Sequence, residues 1–354
     1  MDFKKIVYFF LIVIPIVALG EIFHFLTPTL ALGLAAVGLI PLAGLLGEAT
    51  EELAIHTGPR IGGLLNATLG NAAELIITIV ALQKGLVELV KASITGSILG
   101  NLLLILGASL LLGGLKNGTQ HFDRRVTGLA ATQMTLAIIA LAIPTLFVRS
   151  IGDASNVLTL SKEVGAVMIL LYGLYLVYSF THESEAPHVE TGIDHNEPHV
   201  AKWTVPVASG ILVAATLGVV FLSEVLVGSV EEVVAAWGLS EFFLGIILIP
   251  LVGNVAEHLV GVTAAYKNKM ELSLAISLGS SMQIALFVAP LLVFISLFVG
   301  PGPMNLVFTN FELIALAASS IIATFASQDG ESNWLEGAQL LAVYVMFAFG
   351  FFFI

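Results

Sequence analysis

The sequence has no cysteine and few charged residues. Without cysteine, the 354-residue chain has neither a disulfide framework nor a thiolate metal site, and its redox compartment is left open. Only 11% of the residues are charged and 58% are hydrophobic, with a mean hydropathy of +1.02, whereas soluble domains are roughly 25% charged. A water-soluble enzyme is therefore excluded. The composition predicts an integral membrane protein whose surroundings are a lipid bilayer, and nucleic acid is not expected as a partner.

Apolar segments along the chain predict an all-α fold with about eleven membrane spans. Residues 6–47 carry a single charge, Glu21, and are long enough for two helices of about 20 residues each, with a turn near Glu21 to Pro28. The first run lacks a small-residue cleavage site, so we expect it to be retained as a span. Nine further segments lie at about 61–82, 92–115, 126–148, 164–180, 203–223, 242–266, 272–300, 311–327 and 334–354.

Three polar stretches interrupt this pattern. Residues 47–58 and 223–238 are expected to form acidic amphipathic helices that are too charged to span a membrane. Residues 181–202 form a polar linker whose four histidines we expect to be solvated, namely His182, His188, His195 and His199. A cytoplasmic N-terminus would place nine Lys and Arg residues inside and four outside. The excess of basic residues inside favours that orientation.

An internal repeat divides the chain. Asn254 follows Asn71 by 183 residues, and the same offset pairs Gly70 with Gly253, Glu74 with Glu257 and Ser97 with Ser280. Upstream the offset is 180, pairing Glu51 with Glu231, Glu52 with Glu232 and Gly58 with Gly238. We predict an extra N-terminal helix over 1–26, a five-helix repeat over 27–180, the linker over 181–202 and a second repeat over 203–354. Because five is odd, the second repeat would enter the membrane from the opposite side, with a substrate site between the repeats.

The motifs GNAAEL and GNVAEH place an Asn and a Glu three residues apart inside apolar segments. On continuous helices Asn71 would share a face with Glu74, and Asn254 with Glu257. No Lys or Arg lies near either Glu in these two segments, so ion-pair roles are disfavoured and a functional site is favoured. Two carboxylates and two amide carbonyls near mid-membrane would suit calcium, which takes six to eight oxygen ligands. The two asparagines could instead bond helix to helix, and Gly70 and Gly253 could serve close packing or free a backbone carbonyl for the ion.

The next helix of each repeat adds hydroxyls and amides. Ser97 and Ser280 coincide under the repeat and are the best supporting candidates, with Ser281 and Gln283 beside them. Small residues of this kind also serve helix packing, which is an equally good explanation. His258 points about 100° away from Glu257 on a helix. It is a candidate proton relay or gate, with a packed histidine as the alternative.

These residues carry a family resemblance. GEATEELAIHTGPRIGGLLNATLGNAAELIITIVAL (47–82) and GNVAEHLVGVTAAYKNKMELSLAISLGSSMQIALFVAP (253–290) resemble the two repeats of the cation/proton exchanger branch of the calcium/cation antiporter superfamily. The resemblance implies an eleven-helix fold and proton-driven calcium export through Glu74 and Glu257. It also implies cation-attracting acidic helices beside the ion paths, carrying Glu48, Glu51, Glu52, Glu224, Glu231 and Glu232. The short linker implies a prokaryotic protein of the plasma membrane.

The expected activity is an exchange in which protons and calcium compete for one site. Two facing carboxylates repel each other and lose hydration, so either two protons or one calcium would neutralise them, and an empty charged site is disfavoured during the switch. The ions are cargo, and no cofactor is expected. The alternatives are sodium/calcium exchange or a broader divalent-cation antiporter, then a cation channel, then an intramembrane metalloenzyme. Ion selectivity, stoichiometry and a homo-oligomeric state are left open by the sequence.

Overall fold

The computed structural model describes residues 8–181 and 201–354, which are predominantly α-helical. The helices are α1 Val13–Phe23, α2 Pro28–Thr57, α3 Pro59–Leu69, α4 Ala72–Gln83, α5 Val87–Leu99, α6 Leu106–Asn117, α7 Arg124–Ile151, α8 Ala154–Thr181, α9 Val205–Gly228, α10 Val230–Trp237, α11 Glu241–Phe243, α12 Ile249–Gly253, α13 Val255–Tyr266, α14 Met270–Gln283, α15 Ala289–Ile295, α16 Asn310–Ala326 and α17 Trp334–Phe352. A 3-10 turn, Phe10–Ile12, precedes α1. The four linker histidines and the extreme N-terminus lie outside the described residues.

One backbone feature recurs at the spacing of the predicted repeat. π-Helical segments occupy Gly100–Ile105 and Ile284–Val288, and a third lies at Leu244–Leu248. The first two are related by about the offset of 183 residues seen in the sequence. The repeat therefore extends from sequence identity to local backbone geometry.

Two short strands, β1 Gln120–His121 and β2 Glu331–Ser332, pair antiparallel.

The all-α membrane fold is confirmed. In the described part of the chain, seven helices are long and apolar enough to cross a membrane, or eight if the bent pair Glu241–Gly253 and Val255–Tyr266 is one span. The seven are Pro28–Thr57, Val87–Asn117, Arg124–Ile151, Ala154–Ser179, Val205–Trp237, Met270–Ile295 and Trp334–Phe352. Shorter apolar helices lie at Phe10–Phe23, Ala72–Gln83 and Asn310–Ala326, where the sequence predicted three further spans. The count of eleven stays a prediction.

Of the two acidic segments predicted to form amphipathic helices, the first does not form a helix of its own, and the second does so only over Val230–Trp237. α2 continues without a break through residues 47–57 and ends only at Gly58, whose φ is 81°. Residues 223–228 belong to the last turns of α9, and a new helix starts only after Ser229. Alanine, leucine and glutamate favour helix, so the acidic residues after position 47 prolong a helix that the apolar residues have already formed.

By packing, the described residues form two compact units, and each draws on both predicted repeats. Unit 1 takes its residues from Met1–Ser93, Glu197–Ala256 and Ile354, and unit 2 from Ile94–Asn196 and Glu257–Phe353. The boundaries of the two compact units therefore differ from the boundaries of the two predicted repeats. The predicted sequence domains stay a prediction.

Within unit 1, α2 and α9 pack through a reciprocal pair of glycines and leucines. A Cβ atom at Gly38 would lie 2.7 Å from Leu222, and one at Gly218 would lie 2.9 Å from Leu42. Gly38 and Gly218 are repeat-related at the offset of 180, as are Leu42 and Leu222. Advancing along α2 moves the contact back along α9, so these two helices run antiparallel. Reciprocal contacts of this kind are what a twofold relation produces.

Within unit 2, α6 and α17 approach so closely that glycine is required. A Cβ atom at Gly107 would lie 3.0 Å from the Leu341 backbone nitrogen, and one at Gly337 would collide with the backbone nitrogen of Leu111. Small residues at such crossings let membrane helices pack backbone against backbone.

Candidate ion-binding site

The first GN motif breaks a helix, where the sequence predicted a continuous one. α3 ends at Leu69 and α4 starts at Ala72, with Asn71 between them at φ −98° and ψ 25°. Asn71 is buried and does not cap α4 through its side chain. Asparagine and glycine favour non-helical backbone, which explains why the break falls here. Glu74 is thereby placed in the first turn of a new helix rather than in mid-helix.

The second GN motif makes the same break. α12 ends at Gly253 and α13 starts at Val255, and Asn254 has φ −108° and ψ 10°. Glu257 lies in the first turn of α13. The two asparagines thus share a backbone conformation as well as a motif. Helices interrupted inside the membrane are typical of transporter sites, because the interruption exposes backbone groups to the substrate.

In unit 1 the structure brings Glu74 against the second motif. Glu74 is fully buried, and Asn71 and Asn254 are only 3% and 2% exposed. A Cβ atom at Gly253 would lie 3.4 Å from the Glu74 Cβ and 3.5 Å from its Cα. The missing side chain at Gly253 therefore lets its backbone approach Glu74 closely. Gly70, on the other side of the break, keeps a right-handed helical backbone, with φ −54°.

In unit 2 a chain of hydrogen bonds ends on Glu257. The Asn101 Nδ2 donates to the Ser280 Oγ at 3.0 Å, and the Ser280 Oγ donates to the Glu257 Oε2 at 2.6 Å. Glu257 is half-buried, whereas Asn101 and Ser280 are buried. Asn101 lies in the π-helical segment Gly100–Ile105, where the backbone makes wider turns than in an α-helix. Ser280 is thus a direct partner of the carboxylate, and Asn101 acts through it.

The other supporting candidates are all buried. Ser97 and Ser281 are fully buried and Gln283 is 9% exposed. The Ser281 hydroxyl donates to the Ser277 backbone carbonyl at 2.8 Å, which is a helix-internal bond. His258 is 7% exposed and follows Glu257 on α13. The structure therefore joins Ser280 to Glu257 and gives the Ser281 hydroxyl a local backbone partner.

The acidic residues after position 47 have definite partners. The Glu52 Oε2 accepts the backbone N–H groups of Lys202 and Trp203 at 2.7 and 3.0 Å, and Glu52 is only 5% exposed. The Tyr8 hydroxyl donates to the Glu48 carboxylate. Glu52 therefore ties Lys202 and Trp203 to α2. The cation-attracting role of Glu48, Glu51 and Glu52 stays a prediction.

Two of the other acidic candidates, Glu224 and Glu232, line a cavity of unit 1. A cavity of about 430 Å³ is lined by Glu21, His24, Lys84, Glu224 and Glu232, among others. The Lys84 Nζ donates to the Glu224 backbone carbonyl at 3.3 Å. Three carboxylates against one lysine give this cavity a negative balance, which favours cations. Glu231 is exposed and does not line it.

Sequence reasoning missed one buried carboxylate in unit 2. Glu312 is 2% exposed, and its Oε1 accepts the Thr95 hydroxyl at 2.8 Å. Its Oε2 accepts the Thr309 backbone N–H at 2.8 Å, closing a capping box at the start of α16. The signal was the Thr-x-x-Glu spacing before an apolar segment. Glu312 thus ties α5 to α16.

The chemistry of these groups favours an oxygen-coordinated cation. Within the described ranges, no three His, Asp or Glu side chains lie close enough together to hold a metal ion. Amide and hydroxyl oxygens, such as those of Asn71 and Ser280, would therefore have to complete any ligand set. Such oxygens suit hard cations such as calcium. Glu74 belongs to unit 1 and Glu257 to unit 2, and their action on one ion stays a prediction.

The many apolar helices, two of them interrupted at repeat-related asparagines beside the buried Glu74 and the half-buried Glu257, define the class as a multi-pass membrane transporter. The predicted family resemblance is confirmed, because a profile of the sodium/calcium exchanger protein family matches residues 27–181 and 207–353. The chain belongs to this family.

Two bacterial relatives match nearly the whole chain. It is 45% identical to the Ca(2+)/H(+) antiporter of Aphanothece halophytica, covering 99% of this chain and 97% of the relative. It is 43% identical to the Ca(2+)/H(+) antiporter of Bacillus subtilis, covering 97% and 98%. A solved structure of the Ca2+/H+ antiporter YfkE superposes with a TM-score of 0.85 at 41% identity, covering 99% and 100%. The H+/Ca2+ exchanger CAX shares the fold alone, at a TM-score of 0.72 and 15% identity, covering 99% and 93%.

Proposed function

We propose that this protein exports calcium in exchange for protons by alternating access. The observation that carries the proposal is the repeated site element, in which a helix broken at a buried asparagine places a glutamate in the first turn of the next helix. Relatives at 45% and 43% identity that bear the name of Ca(2+)/H(+) antiporter support it.

Each part of the proposed site has a physical task. Glu74 and Glu257 supply the charge that calcium and protons compete for, and Asn71 and Asn254 supply amide oxygens. Ser280 fixes the Glu257 carboxylate by donating to it at 2.6 Å. Because an unoccupied site would leave buried negative charge, the transporter changes its access state only when the site holds calcium or protons. The ions are cargo, and we propose no resident cofactor.

We place the protein in the plasma membrane of a prokaryote, with a cytoplasmic N-terminus. The supporting observations are the bacterial relatives and the excess of Lys and Arg in the loops that would then face the cytoplasm. Export from the cytoplasm follows from that orientation and from an inward proton gradient.

Sodium/calcium exchange is the second candidate, since the family profile bears that name. The site residues favour protons over sodium as the coupling ion. Sodium-coupled members are expected to carry additional acidic residues or a denser set of hydroxyls for sodium, whereas each repeat here offers one glutamate beside its GN motif.

Radiocalcium uptake into proteoliposomes tests the two couplings side by side. Vesicles would carry an imposed pH gradient, an imposed sodium gradient or neither, and vesicles without protein would be the control. We expect uptake driven by the pH gradient alone. Uptake driven only by sodium would establish the alternative, and uptake needing neither gradient would contradict exchange altogether.

A further inference from the structure

Helix α13, which carries Glu257 in its first turn, has a complete cap at its other end. Asn268 has a left-handed backbone, with φ 62°. The Asn268 N–H donates to the Ala265 carbonyl at 3.0 Å, and the Lys269 N–H donates to the Ala264 carbonyl at 2.9 Å. This pair of bonds is a Schellman motif, which satisfies carbonyls that a helix end leaves without partners. The end of α13 is therefore capped by its own chain.

A glutamine that is distant in sequence binds the same helix end. Gln120 is 1% exposed, and its Nε2 donates to the Ala265 carbonyl at 2.8 Å and to the Asn268 Oδ1 at 3.0 Å. A Cβ atom at Gly113 would collide with the Gln120 Oε1 and would lie 3.0 Å from the Ala265 carbonyl oxygen. Glycine at position 113 therefore makes the room in which Gln120 reaches α13.

The short β-ladder holds the backbone of Gln120. Gln120 in β1 pairs with Ser332 in β2, and the Phe122 N–H donates to the Gly330 carbonyl at 3.0 Å. β2 directly precedes α17, and α17 packs backbone against backbone on α6. The two strands thus give Gln120 a rigid base within unit 2.

Two exposed residues at the end of α6 extend the contact. The Asn117 Nδ2 donates to the Tyr266 carbonyl at 3.3 Å, and the Lys116 Nζ donates to the same carbonyl at 3.1 Å. The Lys116 Nζ also lies 3.7 Å from the centre of the Tyr266 ring. A cation is favoured at a helix C-terminus and over an aromatic ring. Together with the buried Gln120, these two residues form a clamp on α13.

The clamp bears on Glu257 because α13 starts at a break. The chain leaves helical geometry at Asn254, so no continuous helix upstream fixes α13 along its axis. A Cβ atom at Gly261 would lie 3.3 Å from the Ile105 Cγ2, but an apolar contact of this kind has no directional preference. Hydrogen bonds are directional, so those at the C-terminal end fix the axial position of α13. Glu257 precedes Ala265 by eight residues, or about 12 Å of helix.

The other repeat has no residues for such a clamp. At the offset of 183 residues, the three positions equivalent to the clamp carry side chains without a hydrogen-bond donor, namely Val299, Gly300 and Pro303. The broken helix and its glutamate occur in both repeats, so neither of these features requires the clamp.

We propose that Gln120 is a positioning residue for calcium binding, which keeps the Glu257 carboxylate in register with the Ser280 hydroxyl from the opposite end of α13. This inference rests on the proposed calcium/proton exchange, in which Glu257 binds the ion. The bond between Ser280 and Glu257 is 2.6 Å long, and hydrogen bonds weaken steeply when their geometry is disturbed. Without Gln120, α13 shifts along its apolar contacts and the carboxylate leaves the geometry that binds calcium. Gln120 itself does not contact the ion.

The variant Gln120→Met tests this role. Methionine has nearly the volume of glutamine and removes both donations to α13. It also removes the Oε1, which has no hydrogen-bond partner among the described residues, so the protein should stay folded. Isothermal titration at constant pH should show calcium binding about tenfold more weakly, as when an outer partner of a metal ligand is lost. Gly113→Ala displaces Gln120 by another route and should weaken binding in the same direction.

A matched control separates positioning from stability. Thr127→Val removes a buried hydroxyl of unit 2 that donates to the carbonyls of Asp123 and Ser327, and it should keep wild-type calcium affinity. Thermal unfolding in detergent would be followed for both variants. A lower unfolding temperature of Gln120→Met at wild-type affinity would make the clamp a purely structural feature and overturn the inference.

A double variant tests the route to the site. Ser280→Ala removes the hydrogen bond that Gln120 is proposed to keep in register, so adding Gln120→Met to Ser280→Ala should weaken binding less than about twofold further. Fully additive losses would overturn the proposed route. A wild-type protein without pH-driven calcium uptake in proteoliposomes would instead overturn the proposed function.

Discussion

Glu74 and Glu257 occupy equivalent sequence positions in different surroundings. Glu74 is fully buried, packs under the backbone of Gly253 and is followed by the apolar Leu75. Glu257 is half-buried, accepts a hydrogen bond from Ser280 and is followed by His258. The duplicated element has kept the asparagine and the carboxylate in both repeats and changed what surrounds the carboxylate. The ligands of the ion are therefore expected to be shared between the repeats, and access to them to be specialised.

The largest expected effect comes from removing either carboxylate. Glu74→Gln and Glu257→Gln should each abolish pH-driven calcium uptake, because each deletes a charge that both calcium and protons require. Radiocalcium flux in proteoliposomes is the measurement, and a monodisperse size-exclusion profile is the control for folding. Near-normal coupled transport by either variant would show that the two glutamates are not equivalent, and the shared site would have to be abandoned.

The sequence predicts part of the site around these two glutamates. The repeat offset predicted both residues and their asparagines, because identical polar residues in apolar segments are conspicuous. It predicted continuous helices at both motifs, and this was wrong, since a break of one or two residues leaves hydropathy unchanged. The sequence predicted Ser280 as a supporting residue of the site, but not its hydrogen bond to Glu257. Glu312 was missed because a single acidic residue at a segment end looks like a helix start, which it also is.

The fold shows the same limit. Periodicity and length predicted the helix positions well, including the turn between α1 and α2. The ends of α2 and α9 were wrong, because helix propensity carried both helices into segments whose charge suggested a separate element. The division into two compact units was not accessible from sequence, since it depends on contacts such as those of Gly38 with Leu222.

The second-largest effect is expected from helix packing, where a glycine-to-alanine change should cost more stability in unit 2 than in unit 1. In unit 2, a methyl group at Gly337 meets the Leu111 backbone, which cannot move aside, so Gly337→Ala should destabilise by about 2–4 kcal/mol. In unit 1, a methyl group at Gly218 meets only the end of the Leu42 side chain at 2.9 Å. That side chain can change rotamer, so Gly218→Ala should cost about 1 kcal/mol. Thermal unfolding in detergent would rank the two, and a larger loss at Gly218 would contradict the assigned contacts.

A third variant tests whether Ser280 serves the carboxylate or only the helix. Ser280→Ala removes a hydrogen bond to a charged group, commonly about 1.5–3 kcal/mol, so calcium should bind about tenfold or more weakly. Ser281→Ala is the matched control, because its hydroxyl donates to the Ser277 carbonyl within the same helix. Isothermal titration of calcium at constant pH would compare them. Equal affinities in both variants would reduce Ser280 to a packing residue.

The smallest effect is expected at the cavity of unit 1. Glu224 and Glu232 are exposed carboxylates at its wall, and Lys84 offsets part of their charge. Negative charges at the mouth of a cavity raise the local concentration of cations, and salt screens this attraction over about 10 Å at 0.1 M. Glu224→Gln/Glu232→Gln should therefore raise the apparent KM for calcium about two- to threefold at low ionic strength and leave it unchanged at high ionic strength. Glu163→Gln, at an exposed position on α8, is the control for net charge. A KM shift that persists at high salt would mean that these carboxylates contact the ion, and the same shift in the control would mean that only the net charge matters.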